Sequence, residues 1–531
     1  ANLSVFRNLG QYKLVKITNF SSNVLSIYDI SDIEQTSKIT GQQVTTSDGG
    51  VSYDALFATV PNTQDDLTRR YWVGTSANFK SPVMYELSYG FASSLLSATN
   101  QADYLIIGPT KLLRVTDDYV DHKESQDLEV MTVSLEQIYA EFSNATVSSS
   151  AIKDFILYTQ NSWTKAPKYV LFLGDGTYDP KDHYEYENPA TFWPAPLVKG
   201  RFIDFGSDNW FVANYEGSPT PLMAVGRLPS DDPAVITKYL SKVISYESED
   251  SQPTAPKVIT FISDKDTADA EGFESKNESL AALAALADNG LTTSQVLRSS
   301  YTNAAMKTAI NSTFAASPLL INFLGHGAEN IIADNAVFNN SDALALDNGK
   351  YPIMVTLNCL NGAYYDPDTS IETIGEKLIF NSAGGAIAFI GSTTTTTPHA
   401  QMGWANQFYT NLGEELGQAP HTVRLGDLFN SAKTALAGND YYTDVLQSYV
   451  LFGDPTLVIP DSAFTEKAPP ASIPTPFATA KVVEQTSSSG GCSLMAADGR
   501  SSLPWYLGML EFMVLAFIFI GLRWSVKRIK S

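Results

Sequence analysis

Two stretches decide the fold: Leu319-Leu-Ile-Asn-Phe-Leu-Gly-His326 and Ile353-Met-Val-Thr-Leu-Asn-Cys359. Each is a short apolar run of strand length that stops on a chemically capable side chain, and the run-to-run spacing suits a strand, helix, strand unit. Working outward, Val170-Leu-Phe-Leu-Gly-Asp175, Val258-Ile-Thr-Phe-Ile-Ser-Asp264 and Ala386-Ile-Ala-Phe-Ile-Gly-Ser392 end in the same way. Helical patterns separate them, among them Val133 to Phe142, Ala151 to Tyr158 and Leu280 to Ala287. This alternation predicts an α/β domain with a mostly parallel sheet. Ligands bind beyond the carboxyl ends of strands in such sheets, so the five run ends are expected to converge on one cleft.

The 531 residues are 44% hydrophobic and 11% aromatic, enough for two or three packed domains. A formal charge of −22 supplies no footprint for a phosphate backbone, so nucleic acid is excluded as a partner. Two cysteines, Cys359 and Cys492, make no disulfide framework. The five histidines show no His-Glu-x-x-His and the cysteines no paired motif, which argues against zinc.

A cysteine thiol is nucleophilic but mostly protonated at neutral pH, so it needs an imidazole to take its proton. His326, 33 residues before Cys359, is placed to be that base. Its flanking Gly325 and Gly327 permit close approach of a substrate backbone, and the N–H groups of Gly327 and Cys359 are the candidate oxyanion hole. Asp264, with Asp266 behind it, is the candidate acid that orients the imidazole. Read singly, Cys359 is equally a buried structural thiol and His326 a satisfied strand-end histidine; together they point to nucleophilic catalysis.

Ordered along the chain are Ala102-Asp-Tyr-Leu-Ile-Ile, Tyr169-Val-Leu-Phe-Leu-Gly-Asp-Gly, Ser207-Asp-Asn, Ala224-Val-Gly-Arg-Leu-Pro, Tyr246-Glu, Gly325-His-Gly, Asn358-Cys-Leu-Asn-Gly and Val450-Leu-Phe-Gly-Asp-Pro-Thr-Leu. With these motifs the region from Ala102 to Pro460 resembles the gingipain family of cysteine peptidases. The resemblance implies a caspase-like fold of two α/β subdomains, with the catalytic His at His326, the catalytic Cys at Cys359 and protein or peptide substrates. It implies a first subdomain over 98–256 and a catalytic one over 257–460. In arginine-cleaving members an acid before the His strand binds the basic side chain N-terminal to the cleaved bond; Glu274 is the match here, Glu278 the second choice. The family's aromatic lid after the nucleophile strand is replaced by Ser392-Thr393-Thr-Thr-Thr-Thr-Pro-His399, with no Trp before Trp404, so Ser392 and Thr393 are expected to form a hydroxyl-lined substrate rim. His399 reads as a cleft residue or an exposed loop histidine.

No cofactor is required for this chemistry, and the resemblance implies structural calcium. Asp175-Gly-Thr-Tyr-Asp179 and Asp366-Pro-Asp368 read as calcium ligands or as solvated turns, since neither has the pattern of an EF-hand loop.

Residues 1–97, with alternating segments such as Tyr12-Lys-Leu-Val-Lys-Ile and Val24-Leu-Ser-Ile-Tyr, predict a small β-rich domain. With no initiator Met before Ala1, the sequence is expected to begin after a processed or truncated region. Residues 461–502 form a Pro, Ser and Thr-rich linker. Residues 503–522 are apolar but for Pro504, Glu511 and two glycines, and as a helix would reach about 30 Å, a bilayer's hydrocarbon depth. The basic tail 523–531 then predicts a cytoplasmic end and an extracytoplasmic, surface-anchored body. Cys492, in Ser489-Gly-Gly-Cys-Ser493, is the candidate anchoring or processing site, resembling bacterial tripartite sorting tails; a plain juxtamembrane cysteine is the other reading. A surface-anchored endopeptidase is the expected function. A transpeptidase of the same fold and a non-catalytic surface adhesion protein are the alternatives.

Overall fold

The computed structural model describes residues 94–460, except 186–192, 215–218, 249, 267–271, 286–289, 369, 371 and 417–421, and, towards the N-terminus, 3–8, 15–30, 36–46, 49, 52–58 and 69–75. The chain divides into one unit to Gly90 and a second from Phe91. The first has the β-rich character its alternating segments predict. One antiparallel sheet pairs Leu3–Asn8, Arg69–Thr75, Leu25–Asp29 and Ser37–Lys38, another Val15–Phe20, Tyr53–Phe57 and Gln43–Thr46. Phe20, Leu25, Ile27, Ala55, Phe57, Tyr71 and Val73 form its core.

The second unit is built on one ten-stranded sheet. Its strands, in chain order, are β1 Tyr104–Gly108, β2 Val130–Ser134, β3 Tyr169–Leu173, β4 Ala224–Leu228, β5 Ala255–Ser263, β6 Thr292–Leu297, β7 Pro318–Leu324, β8 Ile353–Leu357, β9 Ala388–Ser392 and β10 Tyr449–Phe452. They lie side by side as β6-β5-β7-β8-β9-β10-β4-β3-β1-β2. Strands β1, β3, β4, β7, β8, β9 and β10 are buried along their whole length, which is why their sequences are continuous apolar runs instead of alternating ones. Helices cover the sheet; those used below are α1 Pro233–Glu247, α2 Phe273–Ala285, α3 Ile374–Phe380 and α4 Pro398–Leu416.

The two halves expected on either side of residue 256 thus share one sheet, joined through β10. That strand runs antiparallel to β9 and parallel to β4, pairing Arg227 with Phe452. The consequence is directional. β5, β7, β8 and β9 are mutually parallel and end together, whereas β3 and β4 run in the opposite sense. Asp175, at the end of β3, therefore does not share the edge that carries Asp264, His326, Cys359 and Ser392. The expected convergence of five run ends becomes four, because a single antiparallel strand reverses the sense of the sheet beyond it.

Buried charges hold the seam around β10. Lys123 Nζ contacts Glu247 and Asp454 at 2.7 Å each, all three side chains being almost fully enclosed. Asp454 Oδ1 also accepts from Thr456 and from Tyr104. The ammonium of Lys242, on α1, donates to the carbonyls of Ile379, Asn381, Gly384 and Ala386, capping the end of α3, while burial pulls it down to about 7. Burial without such partners would cost several kcal/mol per charge.

Among the described residues no helix is long and apolar enough to cross a membrane. The apolar stretch 503–522, the linker and Cys492 lie outside the described residues.

Candidate active site

Strand register sets the two residues of the expected dyad just past matched ends of adjacent strands. Leu324 of β7 is paired with Leu357 of β8, and the Gly325 amide continues the ladder by donating to the Leu357 carbonyl at 3.2 Å. On the other side the Asp264 amide donates to Leu324 at 2.9 Å. One residue beyond the last paired row therefore stand Asp264, Gly325 and Asn358; His326 and Cys359 come next, each two residues past its paired leucine. Adjacent strands lie about 4.8 Å apart, so His326 and Cys359 leave neighbouring strands at matched positions. Phe273 at the start of α2 packs edge-on against the His326 ring, centroids 5.1 Å apart.

Beyond His326 the chain folds into a small hairpin, Gly327–Ala328 against Ile331–Ile332, extended by Phe338–Asn339. The Ala333 amide donates to the His326 carbonyl, which makes that pair the bonded one and leaves Gly327, opposite Ile332, at a non-hydrogen-bonded position. Its N–H thus points out of the ladder. A side chain at Gly327 would collide with Asn358 (2.3 Å to Nδ2) and approach the Cys359 carbonyl (3.0 Å), so glycine is required for the hairpin to lie against the loop that carries Cys359.

Two asparagines lock that contact. Asn358 donates to Asn361 Oδ1 at 2.5 Å, and Asn361 Nδ2 donates to the carbonyls of Ala328 and Ile331 (2.9 Å), one on each hairpin strand. Leu360, between them, has φ 63°, a left-handed backbone that an L-residue adopts at a cost of about 1–3 kcal/mol. Cys359 is almost fully buried. Its sulfur lies 3.4 Å from the Thr396 amide, which donates to it, and 3.6 Å from the Thr396 carbonyl oxygen.

The remaining expected site residues have other engagements. Asp264 is fully buried, and its carboxylate accepts from the Asp334 amide at 2.7 Å and the Lys265 amide at 3.0 Å, with Arg298 Nε 3.9 Å away. These bonds tie the far end of the His326 hairpin, where Ala333, Asn335 and Ala336 all have positive φ, to the end of β5. Asp266 accepts from the Glu274 amide at 3.1 Å. Glu274 itself receives the Ser299 amide at 2.7 Å, so a carboxylate expected to read a basic substrate caps a backbone turn.

Ser392 and Thr393 do not form a substrate rim. Both are fully buried: Ser392 Oγ meets the Thr394 carbonyl and Ser448 Oγ at 3.0 Å, and Thr393 donates to the Gly206 carbonyl at 2.8 Å. The hydroxyl-rich run braces the loop that carries Cys359, Leu360 and Gly362 donating to the carbonyls of Thr394 and Ser392. Trp404 is fully buried and no lid, while His399 is exposed and packs against Tyr441.

The acidic turns are likewise taken up internally. Asp179 accepts from His183 and from the Tyr184 amide, Asp366 from the Asp368 amide, and Asp368 from Ser370. Among the described residues no group of three or more His, Cys, Asp or Glu side chains could hold a metal ion. Two features escaped the sequence. Asn361 was legible only as part of a motif, and Glu329, three residues after His326, gave no signal. Burial, then the Asp366 charge, pushes the Glu329 carboxyl up.

A histidine and a buried cysteine at matched ends of adjacent parallel strands, beside an outward-facing glycine amide, define the class as a cysteine peptidase of α/β architecture. The chain belongs to peptidase family C25, whose model matches residues 97–460. Its fold is similar to the crystal structure of the Arg-specific cysteine proteinase gingipain R (RgpB), with TM-score 0.54 and 17% identity over 68% of this chain and 79% of that one. It is similar also to the complex of the RgpB pro- and mature domains from Porphyromonas gingivalis, with TM-score 0.53 and 18% identity over 67% and 79%. Likeness at such identity carries the fold. No curated protein matches the sequence significantly.

Proposed function

We propose that this chain is an endopeptidase that cleaves peptide bonds through a thioester on Cys359, with His326 as proton carrier. The matched positions of the two residues beyond the Leu324–Leu357 pair carry this reading. His326 takes the thiol proton as sulfur attacks the scissile carbonyl carbon. The resulting oxyanion is met by the N–H groups of Gly327 and Cys359. As the tetrahedral intermediate collapses, the C–N bond breaks and His326 gives its proton to the departing amine. Water, deprotonated by His326, then opens the thioester and returns the proton to sulfur. Asp264 acts in this account by fixing the hairpin that carries Gly327, and no basic substrate preference is proposed because Glu274 is occupied by the Ser299 amide.

The tail is read as a surface anchor on sequence grounds: an apolar 503–522 followed by a basic end. The reduced chain, given a peptide library, should release fragments, and Cys359→Ala should release none. Product ligated to an added amine would assign transfer instead of hydrolysis, and turnover by the Cys359→Ala chain would remove the reading altogether. Fractionation of cells tests the anchor: release of the chain into the soluble fraction while 503–522 is intact would refute it.

A further inference from the structure

We propose that Gln401 is a positioning residue for the nucleophile: by donating to Thr396 Oγ1 it holds the Thr396 backbone N–H on the Cys359 sulfur. The inference rests on Cys359 being the nucleophile and concerns how its ionised form is sustained.

Three contacts make the connection. Gln401 Nε2 donates to Thr396 Oγ1 at 2.7 Å, with both residues almost fully buried. The Thr396 hydroxyl, having accepted that bond, is oriented to donate to the carbonyl of Asn358, the residue before the nucleophile, over 3.5 Å. The same residue's amide donates to the sulfur at 3.4 Å. The relay fixes Thr396 from two sides, so its N–H direction is not left to loop mobility. An N–H aimed at sulfur favours the thiolate, which accepts hydrogen bonds more strongly than the thiol.

Thr396 lies two residues before α4, a helix of 19 residues. The positive end of the helix dipole therefore adds to the same preference, since thiols near helix N-termini ionise more readily. Gln401 sits in the first turn, its own amide bonded to the Thr397 carbonyl at 3.1 Å, so its side chain starts from a rigid base. A proton-accepting imidazole alone would leave the thiolate with one stabilising partner; this arrangement supplies a second from the opposite side of the sheet edge.

The titratable groups on the elements packed around Cys359 are His326 on the end of β7, Glu329 in the hairpin, Asp264 on the end of β5, Tyr364, Tyr365 and Asp366 in the loop after Cys359, Glu376 on α3, whose Gly375 amide donates to the Asn361 carbonyl of that loop, and His399 at the start of α4. None is changed in the test. In the full chain carrying Cys492→Ser, only Cys359 remains as a cysteine. Its ionisation in the reduced protein is followed by thiolate ultraviolet absorbance against pH. Gln401→Leu and Thr396→Val should each raise the pH of half-ionisation by about one unit, equivalent to a tenfold smaller thiolate fraction below it. Thr396→Ser, which keeps hydroxyl and amide, should match the parent.

Unchanged ionisation in folded Gln401→Leu and Thr396→Val overturns the proposal, as does a shift in Thr396→Ser as large as in Thr396→Val. Should Gln401→Leu not fold, the Thr396 pair decides. The readout needs no turnover: a parent with a readily ionised Cys359 but no peptidase activity would sink the proposed function and leave this inference standing.

Discussion

The seam around β10 and the edge beyond β7 and β8 are built from the same kind of sheet, yet one is organised around paired buried charges and the other around strained backbone. At the seam each buried charge meets fixed partners. Arg227 pairs with Asp208 at 2.6 Å, donates to the Gly174 carbonyl, and is walled by the rings of Phe172, Trp193 and Tyr364. At the edge the backbone is strained at Leu360, Ala333, Asn335 and Ala336, and Asn358 Oδ1, Thr395 Oγ1 and Gln401 Oε1 are buried without partners among the described groups. The difference teaches where stability resides and where chemistry does. The seam supplies rigidity, and the edge uses it to hold a conformation that would relax if left alone.

The comparison breaks most visibly through activity. Cys359→Ala should lower turnover by on the order of 10⁴-fold or more while the thermal midpoint stays close to that of the parent. Peptidase assays with calorimetry on the same sample check both halves. The seam should respond the other way: Lys123→Met leaves Glu247 and Asp454 enclosed without their cation and should cost about 3–5 kcal/mol in denaturant unfolding, with turnover per folded molecule unchanged. A stability loss under ~1 kcal/mol would mean that those carboxylates find other partners.

Between these extremes lies Asn361, the clamp from nucleophile loop to hairpin. Asn361→Ala should reduce turnover by about 100-fold, because the Gly327 amide loses its fixed place, and lower stability by about 1–3 kcal/mol through the freed Ala328 and Ile331 carbonyls. Loss of stability with full activity would show that the hairpin holds its position without the clamp.

The smallest effects separate the regions by pH. Burial works to raise the Glu247 carboxyl, but the Lys123 charge and hydrogen bonds from His122 and Lys123 pull it down to about 2, below the usual carboxylate range. Its stabilisation is therefore full above about pH 4.5 and lost as pH falls towards 2. Glu376, on α3, goes the other way: burial pushes its carboxyl up to about 7. The folded state then binds the extra proton, so stability declines as pH rises from 4.5 through 7. Thermal melts of Glu376→Gln should show a gain at alkaline pH that vanishes in acid, since the amide oxygen still accepts the Thr373 amide. An equal gain at both would contradict the assignment.

Much of this was legible in the chain. Apolar runs ending on Asp264, His326 and Cys359 announced parallel strands with a shared edge, because a strand buried on both faces has no alternation to disguise it. The sense of β3 was not legible: only the pairing of Tyr449–Phe452 between β9 and β4, a contact remote in sequence, reverses it. The hydroxyl run Ser392 to Thr396 misled, since serine and threonine in a loop read as surface, whereas here the Gly206 carbonyl, the Ser448 hydroxyl and the Gln401 amide meet Thr393, Ser392 and Thr396 in the interior. The Thr396 amide on sulfur could not have been found at all, because a backbone donor leaves no mark in sequence.

The central claim is that Cys359 is the nucleophile and His326 its base. Mass spectrometry of the reduced chain after reaction with a peptidyl acyloxymethyl ketone tests it most directly. The account predicts one adduct, on Cys359, formed rapidly in the parent and lost or greatly slowed in His326→Ala. An adduct confined to Cys492, or labelling of Cys359 at the same rate without His326, would contradict it.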